Sequence, residues 1–135
     1  MIKILRIVAL VLLLILSVAA IYGGLSFIID PSGESIQISI DVLNGTPFNN
    51  FLIPGIILFL ANGLLSALVV IITIKKMKYY PWFIILQGFV LIGWLTGELI
   101  MNIELFFPIM HYPLYTFGVL FIVLGLLLQK NNQNH

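Results

Sequence analysis

Four long apolar runs, at residues 4–29, 51–74, 81–101 and 113–129, are separated by short polar segments. About 20 helical residues at roughly 1.5 Å each span a hydrocarbon core of roughly 30 Å. The first three runs are long enough to cross a bilayer, and the fourth is short for it. The pattern predicts an all-α membrane protein: a four-helix transmembrane bundle forming a single domain over 1–135, with a short extracytoplasmic β-like loop within 30–50.

The first run stops at Asp30-Pro31-Ser32-Gly33, a turn in which proline fixes φ and glycine admits positive φ. Residues 35–42 then alternate polar and apolar with period two, predicting a short strand with its isoleucines on one face. Asn44-Gly45 follows as a tight-turn signal. This segment is expected to lie on the helix ends, either as a plain cap or as a lid over an outward-facing pocket. Asn49 or Asn50 caps the second helix, and Pro54 fits its first turn, where amides lack helical acceptors. Lys75-Lys76-Met77-Lys78 ends it, and Tyr79, Tyr80 and Trp82 form an aromatic collar of the kind found where lipid meets water. The short connection predicts that helices two and three form an antiparallel hairpin in contact along much of their length. The proline-rich stretch 102–113, with Glu104, Pro108 and His111, is expected to be irregular, and the Asn/Gln tail after Lys130 disordered.

Composition strengthens the membrane reading. Hydrophobic residues make up 61% of the 135 and charged residues 8%, a balance that a small soluble domain could not cover. With a net charge of +1 there is no electrostatic case for nucleic acid, and with no cysteine there is no disulfide frame or thiolate chemistry. Lys3, Arg6, Lys75, Lys76, Lys78 and Lys130 all fall on one side of a four-span topology, which the positive-inside rule makes cytoplasmic. Both termini are then inside a plasma (inner) membrane, and Asp30, Glu34, Asp41 and Glu104 lie outside. Residues 3–19 also imitate a cleaved signal peptide ending in Ser17-Val18-Ala19, but the run stays apolar to Ile29, so an uncleaved first helix is expected.

Candidate chemistry is sparse. Small residues four apart, Gly63 with Ala67 and Gly93 with Gly97, make flat helix faces for close packing or for self-association. Asn62 and Gln87 fall within about 5 Å of each other in depth, so an interhelical hydrogen bond is expected. Glu98 stands about 25 Å along its helix from Pro81, near the outer interface, with Trp94 one turn earlier and Asn102 one turn later. It is either a carboxylate reaching outer water, with Trp94 as an interface anchor, or the floor of an acidic vestibule shared with Asp30, Asp41 or His111. That vestibule would bind a cation, a proton or an amine. His111 has no second histidine or cysteine at ligand spacing, so no metal is expected, and no motif calls for a cofactor. Asn44-Gly45-Thr46 matches a glycosylation acceptor, a short pattern that arises often by chance.

Asp30 with Ser32-Gly33, Pro47-Phe48-Asn49-Asn50-Phe51 with Pro54-Gly55, and Trp94 with Glu98 together resemble a loose group of small bacterial four-helix integral membrane proteins of uncharacterised function. The resemblance implies four spans and an inner-membrane location, and it implies no reaction. Where the group often carries aspartate, this chain has Asn50. The expected function is that of a non-enzymatic accessory or structural component, acting by helix packing with itself or another membrane protein and touching membrane lipid. The alternative is a small oligomeric transporter or channel using an outer acidic vestibule around Glu98. A lipid-modifying enzyme would need a further polar group beside Glu98 that the sequence does not identify.

Overall fold

A computed structural model describes residues 2–101 and 108–133. Its four helices are α1 (Ile2–Ile29), α2 (Leu52–Ile74), α3 (Tyr80–Met101) and α4 (Pro108–Gln133), and each is long and apolar enough to cross a membrane. Only 28% to 39% of each candidate span is buried within the chain, while large apolar side chains such as Val18, Leu64, Ile71, Phe89 and Leu126 point outward. An apolar exterior of that extent needs lipid or a partner to cover it.

Local chemistry sets the helix ends. The Asn50 side chain accepts a hydrogen bond from the Leu52 amide at 3.0 Å just ahead of α2, but the capping position is Phe51, which makes no side-chain cap bond, and not Asn49 or Asn50 as expected. At the other end Lys76 takes φ 53°, with the Lys76 amide donating to the Thr73 carbonyl and the Met77 amide to the Ile72 carbonyl. That is a Schellman closure carried by a lysine instead of glycine. Arg6 meets Tyr80 at this basic end, Nε to hydroxyl at 3.4 Å, with its guanidinium 5.6 Å from the ring centroid.

Three further expectations need correction. The first is the strand: residues 34–43 contain two 3-10 turns, Glu34–Ile36 and Ile40–Leu43, and there is no strand among the described residues. A lone strand has no partner for its backbone groups, and here local acceptors take them. Asp30 accepts from the Ser32 amide and hydroxyl and from the Ser35 amide, and Ser39 accepts from the Asp41 amide. Gln37 at φ 61° and Gly33 at φ 78° fold the chain back, so that the Ile38 amide donates to the Gly33 carbonyl. A side chain at Gly33 would run into the Ile38 carbonyl and the Phe51 ring. The Asn44-Gly45 turn is present, with Gly45 at φ 85° and Asn44 at φ −57°, ψ 134°, the type II geometry. Leu43 and Phe51 are buried in this roof, and Phe51 stacks on Phe27 with centroids 4.5 Å apart.

The second correction concerns pairing. α1 packs along α2, and α3 along α4, while α2 and α3 touch mainly in the halves nearest their connection. Glycines bring the paired backbones together: a Cβ at Gly24 would stand 2.8 Å from the Phe59 Cα, and one at Gly88 would stand 2.7 Å from the Gly118 carbonyl. The core of Ala9, Leu13, Val69, Ile84, Phe121 and Leu128 lies toward the basic end. The third correction is that helix begins at Pro108, so His111 and Pro113 are helical. Pro108 suits a first helical position, and Pro113 removes one hydrogen bond close to the start. The same helix runs through Gln133, into the tail expected to be disordered. Glu104 and Asn102 lie outside the described residues.

Candidate functional site

Where α2 and α3 part, the bundle holds a partly open cavity of about 410 Å³. Its walls come from all four helices: Leu16 and Ala20 on α1, Leu58 and Asn62 on α2, Leu91, Trp94, Leu95 and Glu98 on α3, and Leu114 and Phe117 on α4. Its roof is the folded loop, through Ile36, Ile38, Leu43, Phe48 and Phe51. The loop is therefore both a cap on the helix ends and a lid over a pocket. Ile15, Ile57 and Met101 line the cavity and are each more than a third exposed, so it approaches the bundle surface beside them.

Among the described residues, Glu98 and Asn62 bring a carboxylate and an amide to this lining, beside the Trp94 indole. Glu98 Oε2 lies 3.1 Å from Nε2 of His111; the imidazole is fully buried and the carboxylate side chain 14% exposed. The pair exists because α4 starts early enough to place His111 opposite the outer turn of α3. Glu98 is thus more enclosed than its depth along α3 implied. The wider vestibule does not form: Asp30 and Asp41 are not on the cavity lining. The Asp30 carboxylate instead anchors its own turn, and the Ser32 hydroxyl, followed by the Ser35 amide, holds its pKa below the ordinary value. Asp41 is exposed. Trp94 lies on the cavity wall, partly buried, rather than serving as an outward anchor.

At the cavity floor the expected interhelical bond is present, with Gln87 Nε2 donating to Asn62 Oδ1 at 3.3 Å and to the Ala61 carbonyl at 3.4 Å. Asn62 belongs to a π-helical segment, Phe59–Leu64, which periodicity did not predict. The wider turn leaves carbonyls to be satisfied from outside the α-helical ladder. Gln87 takes Ala61, Ser66 takes Asn62 and Gly63, and Ser17 of α1 takes Gly63 at 3.2 Å. An Asn-Gly pair inside an apolar run was the available signal. Three buried polar atoms, Asn62 Nδ2, Gln87 Oε1 and Thr73 Oγ1, have no hydrogen-bond partner among the described residues. The small-residue faces separate: Gly63 packs against Ile21 of α1, whereas a Cβ at Gly93 or Gly97 meets nothing within 4 Å among the described residues.

No group of three or more potential metal ligands occurs among the described residues. The arrangement offers an acceptor, the Glu98 carboxylate, and an amide, Asn62, in an otherwise apolar chamber, which suits holding an elongated apolar molecule by its ends. Comparison with protein-family models, curated proteins and solved structures returns no match to this chain.

Proposed function

We infer that this chain is a multi-pass protein of a bacterial inner membrane, with both termini cytoplasmic, that binds a lipid-like molecule in the outer half of its bundle. The side assignment rests on the six basic residues at one end. One observation carries the binding reading, the 410 Å³ apolar cavity. The volume lies in the usual range of small-molecule sites, about 300 to 1,000 Å³, and an apolar lining that opens to the bundle surface is suited to an apolar chain entering from the surrounding lipid.

Native mass spectrometry from mild detergent tests this. The wild-type chain should retain a lipid-sized adduct, and Ala20→Leu, which adds bulk at a buried wall position, should lose it. Equal retention by both proteins would count against the cavity as the site.

A second reading, the accessory component acting by helix packing, is favoured by the open face at Gly93 and Gly97. Close backbone approach there would suit a second copy or another membrane protein. A Gly97→Leu chain that crosslinks in the membrane as the wild type does would dispose of it.

A further inference from the structure

We propose that the Glu98–His111 pair is the head-group contact of this cavity, selecting an amphiphile whose head donates hydrogen bonds, a primary amine or an alcohol, over one that ends in an anion. The proposal rests on the binding reading above and adds the chemistry of the ligand.

The carboxylate is on the cavity wall and the imidazole is not, so His111 stands behind Glu98 and engages one of its oxygens, Oε2. The surface presented to a ligand is therefore the carboxylate, which when ionised only accepts hydrogen bonds. A donor head completes that acceptor, and a cationic one adds charge compensation in a low-dielectric chamber. An anionic head would face a like charge there when Glu98 is ionised. Nothing nearby relieves it, because every lysine and arginine in the chain lies toward the opposite end of the bundle and the His111 Nε2 already faces Glu98.

The remainder of the ligand follows from depth. Gln87, bonded to Asn62 at the floor, precedes Glu98 by eleven residues on α3, which is about 16 Å of helix. Leu91 and Leu95 occupy the wall between those levels. A chain of roughly dodecyl length, head at Glu98 and tail toward Asn62, matches that span. The unpartnered Asn62 Nδ2 is a second polar contact at the floor, open to an acceptor on the far end of a longer ligand.

Trp94, one turn from Glu98 on the wall, is a built-in reporter, and Trp82 is the chain's other tryptophan. In a Trp82→Phe background in non-ionic detergent, Trp94 emission is followed during titration with dodecylamine, dodecanol and dodecanoate. The amine and the alcohol should each give a saturable shift at least about ten-fold tighter than dodecanoate, and a tighter amine than alcohol would assign part of the recognition to charge. Glu98→Gln should remove the advantage of the amine. Dodecanoate binding as tightly as the amine, or an unchanged order in Glu98→Gln, overturns the head-group assignment while leaving the cavity reading in place. If none of the three gives a saturable shift, both fall. The wild-type order alone decides the matter if the variant does not fold, and Ala20→Leu separates cavity binding from partition into the micelle.

Discussion

The two halves of the bundle are built from the same apolar alphabet and pack differently. Toward the basic end, Leu13, Val69, Ile84, Phe121 and Leu128 are fully buried around one another, and α2 meets α3. Toward the loop end α1 and α2 stay in contact but α2 and α3 stand apart, around a cavity roofed by residues of the loop. The difference is not one of hydrophobicity. Glycine seams hold α1 to α2 and α3 to α4, and among the described residues no such seam joins α2 to α3, which meet through apolar side chains such as Val69 and Ile84 up to the level of the Asn62–Gln87 bond. A region that closes on itself has its stability in side-chain contacts; one that remains open has room for something else.

Truncation should separate the halves most strongly. Phe121→Ala in the closed half should cost about 3 to 5 kcal/mol, whereas Phe117→Ala, on the cavity wall, should cost roughly 1 kcal/mol because its space is already open. Equilibrium unfolding in mixed micelles reads both, and equal losses would erase the contrast.

Glycine replacements sharpen it next. Gly88→Ala sets a methyl 2.7 Å from the Gly118 carbonyl and should destabilise by about 1 to 3 kcal/mol, as overpacking does. Gly93→Ala and Gly97→Ala should be neutral or stabilising by up to about 1 kcal/mol from helix propensity, unless that face is occupied by a second copy. Thermal unfolding of the three variants side by side gives the answer.

The polar pair comes third. His111→Ala removes a fully buried imidazole that lies 3.1 Å from the Glu98 carboxylate and should cost about 1 to 3 kcal/mol, and Glu98→Gln, which keeps the shape of the side chain beside it, should cost less. Smaller again is Lys76→Gly at the left-handed end of α2, expected to stabilise by about 1 kcal/mol because glycine carries no Cβ penalty there. A destabilised Lys76→Gly would mean the lysine side chain matters more than its backbone.

The smallest effect concerns the roof. Because the folded-state pKa of Asp30 is lowered, its contribution is present above the ordinary carboxyl value of 3.8 and is lost as pH falls through the lower folded value. Proteolysis of the 30–50 loop should rise on acidification in the wild type, and Asp30→Asn should flatten that response.

Much of this was legible in the residues. The apolar runs located all four helices, although α4 begins before its run, Lys75-Lys76 located the far end of α2, and depth counting paired Asn62 with Gln87. Glu98, Trp94 and His111 stood out as polar or aromatic interruptions, and the structure brings two of them to one wall and the third behind it. The alternation at 35–42 misled, because period two specifies a strand only when another strand is available to pair with it. The irregular reading of 102–113 failed for His111 because prolines near a helix start are compatible with helix.

Run length and composition were enough for four long apolar helices with an apolar exterior, but not for the turns at 34–43 or for where α4 begins and ends. The tertiary structure alone decided that α2 pairs with α1 rather than α3, that a π-turn exposes carbonyls beside Asn62, and that a cavity opens under the loop. Those depend on which glycine faces meet which backbone, a matter of packing in three dimensions to which a pattern of apolar residues along one chain is indifferent.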